Sequence, residues 1–177
     1  MTLREKYGEW GIILGATEGV GKAFCERLAK EGMNVVMVGR REEKLKELGE
    51  ELKNTYEIDY KVVKADFSLP DATDKIFAAT ENLDMGFMAY VACLHSFGKI
   101  QDTPWEKHEA MINVNVVTFM KCFYHYMKIF AAQDRGAVIN VSSMTGISSS
   151  PWNGQYGAGK AFILKMTEAV ACETEKT

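Results

Sequence analysis

Tyr156 and Lys160 stand four residues apart at the start of a segment that reads as a helix, so their side chains share one face. Ser143 lies thirteen residues upstream of Tyr156, just past an apolar run that reads as a strand. A phenol, an ammonium and a hydroxyl so placed suit proton transfer at a carbonyl oxygen. Tyrosine is a poor proton exchanger near neutral pH because its unperturbed pKa is about 10. A cation one turn away favours the phenolate and brings that value down. The serine hydroxyl can donate to the carbonyl oxygen and stabilise the charge that develops there.

Spacing alone does not single out this pair, because Tyr60 and Lys64, and Tyr124 and Lys128, are spaced alike. Tyr60 and Lys64 fall on an expected strand, where four residues span about 13 Å. Tyr124 and Lys128 fall inside a long helix with no polar loop beside it, and read as surface or interface residues. Only the third pair begins a helix next to a strand end.

A second constellation lies near the amino terminus. Gly15-Ala-Thr-Glu-Gly19-Val-Gly21 sits between an apolar strand and an amphipathic helix. Glycines there let the backbone turn tightly and approach a pyrophosphate, and the helix start offers free N–H groups to its charge. The next strand ends in Gly39-Arg40-Arg41. An acidic residue at that point would bind a ribose 2′-hydroxyl, whereas arginine pairs with a 2′-phosphate. The expected cofactor is therefore NADP(H) in preference to NAD(H), with Arg40 the main contact and Arg41 its support.

The elements that must position these groups follow from periodicity. Strands are expected at Trp10–Leu14, Asn34–Val38, Tyr60–Ala65, Gly86–Cys93 and Ala137–Val141. Helices are expected at Lys22–Glu31, Arg41–Asn54, Asp71–Glu81, Trp105–Ala132 and Gly154 to about Cys172. Leu45, Leu48 and Leu52 make one apolar stripe. Phe119, Phe123, Tyr126 and Phe130 make another, read as core or subunit interface. Strictly alternating strands and helices imply a doubly wound parallel sheet in three α/β/α layers, with its ligand at the carboxyl ends of the strands.

The G-x-x-x-G-x-G spacing, the preceding Lys6-Tyr-Gly-Glu-Trp10 and the Ser143/Tyr156/Lys160 set resemble the short-chain dehydrogenase/reductase family over Lys6 to Glu173. The nearest branch is that of 17β-hydroxysteroid dehydrogenases and 3-oxoacyl-CoA reductases. The resemblance implies a Rossmann-like fold and an NADP(H)-dependent oxidoreductase that interconverts a carbonyl and a secondary alcohol by hydride transfer. Tyr156 would be the acid/base, with a small-molecule carbonyl or alcohol as substrate. Lys160 would also hold the nicotinamide ribose. Asn115 would order a water and the lysine, with Asn113 the competing position. Cofactor contacts would come from Gly15, Thr17, Glu18, Gly19, Val20, Gly21, Phe67, Ala92 and Asp66, the last at the adenine. A homodimer through the helices at 105–132 and 154–172 is implied as well.

Two departures stand out. Tyr90-Val91-Ala92-Cys93 replaces the family's usual Asn-Ala-Gly, so Val91 lacks the hydrogen bonds an asparagine would make in the cofactor pocket. The family also carries further strands after the tyrosine helix. The expectation is a single NAD(P)-binding domain over 1–177, incomplete at its carboxyl end, as in a fragment or truncated gene product. Its fifth strand would be an exposed edge, and the apolar face of its last helix would be uncovered. The alternative function is a non-catalytic NADP-binding remnant.

Composition excludes several classes. The 177 residues fit one domain and can bury a core without disulfides or a structural metal. With 47% apolar and 25% charged residues, the chain matches an ordinary globular protein. A net charge of −3 lacks the footprint of a nucleic-acid binder. Cys25, Cys93, Cys122 and Cys172 form no metal-ligand spacing with the three histidines and are expected as buried free thiols. With neither a signal peptide nor a membrane span in evidence, a cytoplasmic protein is expected.

Overall fold

The apolar runs form strands β1 Trp10–Leu14, β2 Asn34–Gly39, β3 Tyr60–Lys64, β4 Met85–Tyr90 and β5 Ala137–Asn140. The structure, a computed structural model, describes residues 1–174; residues 175–177 lie outside the described residues. The strands pair in parallel in the order β3-β2-β1-β4-β5. Helices α1 Leu3–Tyr7, α2 Gly19–Lys30, α3 Glu42–Tyr56 and α4 Ala72–Thr80 precede α5 Trp105–Ile112, α6 Phe119–Ala132 and α7 Gly154–Thr174.

Alternation along the strands sends side chains to two cores. Ile13, Val35 and Met37 pack under Cys25 and Leu28 of α2 and Leu45, Leu48 and Leu52 of α3. Ile12, Leu14, Val36 and Val38 pack on the opposite side against Ile76 of α4, Phe119, Phe123, Tyr126 and Phe130 of α6, and Ile163 of α7. The aromatic stripe is therefore core. The three layers match the expected Rossmann-like architecture.

The chain runs outward from β1 through β2 to β3, then crosses back to place β4 on the other side of β1. That reversal opens a crevice at the carboxyl ends of β1 and β4, where such sheets bind ligands. Strand β4 was expected to run to Cys93 but ends at Tyr90. The Val91 and Ala92 N–H groups both turn to the Leu14 carbonyl, at 2.8 Å each, and close the strand end over β1.

The helix expected over 105–132 is interrupted. Between α5 and α6 lies a π-helical turn, Asn113–Thr118. Such a turn carries one extra residue and frees backbone carbonyls from the regular ladder. Three buried side chains hold it: Tyr90 Oη donates to the Val114 carbonyl at 2.6 Å, Thr118 Oγ1 donates to the Phe67 carbonyl at 2.9 Å, and Asn115 reaches Leu94.

Among the described residues, β5 pairs only with β4. Ile139, on the face that α2 and α3 cover elsewhere, is 42% exposed. The last helix is better covered than expected: Phe162, Met166 and Val170 are partly buried against the core. Cys25 and Cys122 are buried as expected, but Cys93 and Cys172 are exposed, because one follows a strand end in the crevice and the other lies in the outer turns of α7. No helix among the described residues is long and apolar enough to cross a membrane.

Candidate active site

Gly15 turns the chain out of β1 with φ +101°, a conformation that favours glycine. A Cβ there would stand 2.6 Å from the Ala92 nitrogen, so only glycine lets the two strand ends meet. Gly19 also has positive φ, +56°, and faces open space. Gly21 packs directly on the Gly15 carbonyl, fixing α2 against the turn. Glu18 is the N-cap of α2, yet its side chain makes no capping bond, so the first N–H groups of the helix are not capped by it. Val20 is exposed on the first turn.

A cleft of about 490 Å³ opens beside this turn. Thr17, Glu18, Arg40, Arg41 and Asp66 line it together with Ala92 and Cys93. Asp66 Oδ1 accepts from the Ser68 N–H at 3.0 Å and from Ser68 Oγ at 2.8 Å, so the carboxylate is held at the rim. Phe67 contributes backbone to the wall, while its ring sits in the core against Tyr90. Arg41 pairs with Glu18 at 2.8 Å, and Arg40 is exposed and forms no ion pair among the described residues. Glycines that clear the backbone, an uncapped helix start and two arginines at the end of β2 together fit a dinucleotide.

The second group assembles across the crevice. Ser143 caps the 3-10 turn Met144–Gly146, and its Oγ accepts from the Thr145 N–H at 3.2 Å and from Thr145 Oγ1 at 3.0 Å. The neighbouring Ser143 hydroxyl favours the Tyr156 phenolate. Burial acts the other way and is the largest influence, and neighbouring Cys93 adds to it, so the phenol is held above its ordinary value. The Lys160 Nζ stands 5.8 Å from the Tyr156 ring centre.

Lys160 is 1% exposed, and its Nζ donates to the Val141 carbonyl at 2.7 Å. Burial lowers its pKa, and Cys93 opposes that shift. Gly146 and Gly157 let α7 close on the 3-10 turn: a Cβ on Gly146 would meet the Lys160 carbonyl carbon at 2.8 Å, and one on Gly157 the Thr145 carbonyl oxygen at 2.7 Å. Asn115, also 1% exposed, receives the Leu94 N–H at 3.1 Å and donates to the Leu94 carbonyl at 2.7 Å. It packs beneath Gly159 of α7. Asn113 instead donates to the Ser68 carbonyl at 3.2 Å.

The two decoy pairs stay outside. Lys128 lies 5.5 Å over the Tyr124 ring, which is 60% exposed on α6. Tyr60 bonds to Glu50 of α3.

Two neighbours of Tyr156 escaped the sequence reading. Cys93 influences both Tyr156 and Lys160, and the His95 ring stands 5.8 Å from the Tyr156 ring. Both follow the carboxyl end of β4, the place where a doubly wound sheet puts its ligand, and that position was the available signal.

Comparison with known proteins agrees with this geometry. Residues 9–177 match the family model described as short chain dehydrogenase. The chain is 82% identical to a 7β-hydroxysteroid dehydrogenase of Collinsella aerofaciens, across all of this chain and 67% of that protein. It is 31% identical to a very-long-chain 3-oxoacyl-CoA reductase of Rattus norvegicus, across 89% of this chain and 52% of that one. A solved structure described as giving insights into 7β-hydroxysteroid dehydrogenase stereoselectivity superposes with a TM-score of 0.98 at 82% identity, over all of this chain and 68% of its own. A short-chain dehydrogenase from Sphingobium yanoikuyae in complex with NADPH superposes at 0.89 with 24% identity, over 94% of this chain and 65% of its own, which speaks for the fold.

Proposed function

The chain belongs to the short-chain dehydrogenase family, and on that premise we propose that it is an NADP(H)-dependent oxidoreductase interconverting a ketone and a secondary alcohol. The observation that carries the reading is the convergence of Ser143, Tyr156 and Lys160 beside a cleft rimmed by Arg40 and Arg41. The 82% identity to a 7β-hydroxysteroid dehydrogenase supports a hydroxysteroid and its ketone as the substrate pair. The chain spans about two thirds of that relative, so the whole protein's activity enters here as a proposal.

When bound, the nicotinamide supplies or accepts the hydride. The Ser143 hydroxyl donates to the carbonyl oxygen and stabilises its developing charge. Tyr156 gives the proton to that oxygen in reduction and takes it back in oxidation. Lys160, whose Nζ donates to the Val141 carbonyl, sets a positive charge near the phenol and would hold the ribose. Asn115 holds Leu94 and so fixes the loop after β4. Arg40 would hold the 2′-phosphate with Arg41 in support, and Gly15, Thr17, Glu18, Gly19, Val20 and Gly21 would form the turn around the pyrophosphate. Asp66 would take the adenine, with Phe67 and Ala92 on the cleft wall.

A homodimer through α5, α6 and α7 belongs to the same reading. A groove of about 1120 Å³ between α5 and α7 exposes Trp105 and Ile112, apolar surface that a second copy would bury. A second function, cofactor binding without catalysis, is favoured by Val91 on the cleft wall, which lacks the hydrogen bonds an asparagine would make there.

The test is turnover of a 7-keto steroid with NADPH by the 177-residue chain. NADPH-dependent reduction that Tyr156→Phe abolishes supports the enzyme. NADPH binding without turnover leaves the non-catalytic reading in its place.

A further inference from the structure

The rim of the cofactor cleft holds an ion pair that neither the turnover scheme nor the family likeness uses. Glu18 Oε2 lies 2.8 Å from Arg41 Nη2. Glu18 occupies the N-cap position of α2 and Arg41 that of α3, so the pair bridges the starts of two helices at the same cleft. The Glu18 side chain makes no capping bond to the N–H groups of α2. It reaches across to the guanidinium instead. Both side chains are solvent-accessible, at 72% for Glu18 and 45% for Arg41.

We propose that Glu18 is a specificity-determining residue that tempers recognition of the 2′-phosphate by occupying Arg41. The inference rests on the reading of the cleft as an NADP(H) site. A ribose 2′-phosphate is a near-dianion that seeks the guanidinium Glu18 already holds. Binding must either displace the carboxylate or seat the phosphate beside it. In the first case a pair is lost, and in the second two like charges share one cation. Either way Glu18 weakens the phosphorylated cofactor more than the unphosphorylated one, which places only a hydroxyl there. Arg40, with no carboxylate partner among the described residues, provides the unopposed attraction, and the Glu18–Arg41 pair sets its upper limit.

The experiment measures NADPH and NADH affinity calorimetrically for the 177-residue chain, Glu18→Gln, Arg41→Gln and the double variant, with thermal midpoints as the control on folding. Glu18→Gln should tighten NADPH roughly fivefold, as expected for an exposed charge pair, and NADH less than twofold. The gain should shrink at high salt and disappear in the Arg41→Gln background, since the carboxylate acts through that guanidinium. Unchanged or weaker NADPH binding by Glu18→Gln, with the parent still preferring NADPH, overturns this proposal and leaves the cofactor reading standing. A parent that binds NADH as tightly as NADPH removes both.

Discussion

The Tyr90 hydroxyl, at the end of β4, donates to the Val114 carbonyl at 2.6 Å in the π-helical turn. Tyr90 is fully buried, so no water can replace it, and Asn115 is the next residue along the turn. A strand end and an irregular helical turn thus meet through one hydrogen bond beneath the crevice.

Tyr90→Phe should leave that carbonyl unsatisfied and cost about 1–3 kcal/mol of stability. Chemical denaturation measures the loss. Because the turn carries Asn115, the variant should also raise the KM for cofactor. A stability equal to the parent's would mean that the π-turn holds without Tyr90.

Tyr156→Phe should lower kcat by roughly 10²–10⁴-fold, the usual worth of a positioned acid, while NADPH affinity stays within about twofold. Ser143→Ala should reduce kcat by about 10²–10³-fold, in the range of a lost oxyanion donor. Stopped-flow reduction and equilibrium titration separate the two effects. Substantial turnover by Tyr156→Phe would remove the phenol from the chemistry.

Arg40→Ser should weaken NADPH binding about 10–100-fold, since charged hydrogen bonds contribute roughly 1.5–3 kcal/mol, and leave NADH nearly unchanged. Parallel titrations with both cofactors check it. Equal losses for the two would show that Arg40 does not read the 2′-phosphate.

Two pH dependences follow from burial. Reduction needs the neutral phenol, so it is favoured below the Tyr156 pKa and falls above it. Burial and Cys93 both raise that value, hence Cys93→Ala should move the alkaline limb to lower pH. A pH–rate profile that Cys93→Ala leaves in place would contradict the contact.

Stability should also decline in alkali. Burial pushes the Cys122 thiol from 9.0 up to about 12, and Cys25, Tyr90 and Tyr126 shift in the same direction. The unfolded thiols give up protons first, so their contribution is intact below pH 9.0 and drains away as the pH climbs to about 12. Thermal midpoints across that range test this, and a flat profile would exclude it.

Much of the fold was legible in the sequence because the physics is local. Val-rich Asn34–Val38 and the Leu45/Leu48/Leu52 stripe each announce their element, and Gly15 marks the turn between β1 and α2. The site was legible where it sits at element ends, as Ser143 and Tyr156 do. What escaped depends on distant partners. The π-turn arises from Tyr90, Phe67 and Leu94, none of which is near it in the chain, and no helical period betrays one extra residue. Tyr60 to Lys64 and Tyr156 to Lys160 are alike as strings, and only the three-dimensional neighbourhood separates them. The raised Tyr156 phenol follows from how deeply α7 seats, which spacing does not report.

The strand order β3-β2-β1-β4-β5 has a consequence for how the molecule is made. Of the five strands described, β1 is made first and becomes the centre of the sheet, and the other four join at a rim: β2 and β3 on one flank, then β4 and β5 on the other. No strand has to be inserted between two that are already paired. A chain leaving the ribosome can therefore keep each completed piece closed while the next one arrives, with the glycine turn after β1 formed well before the helix that carries Tyr156 is translated.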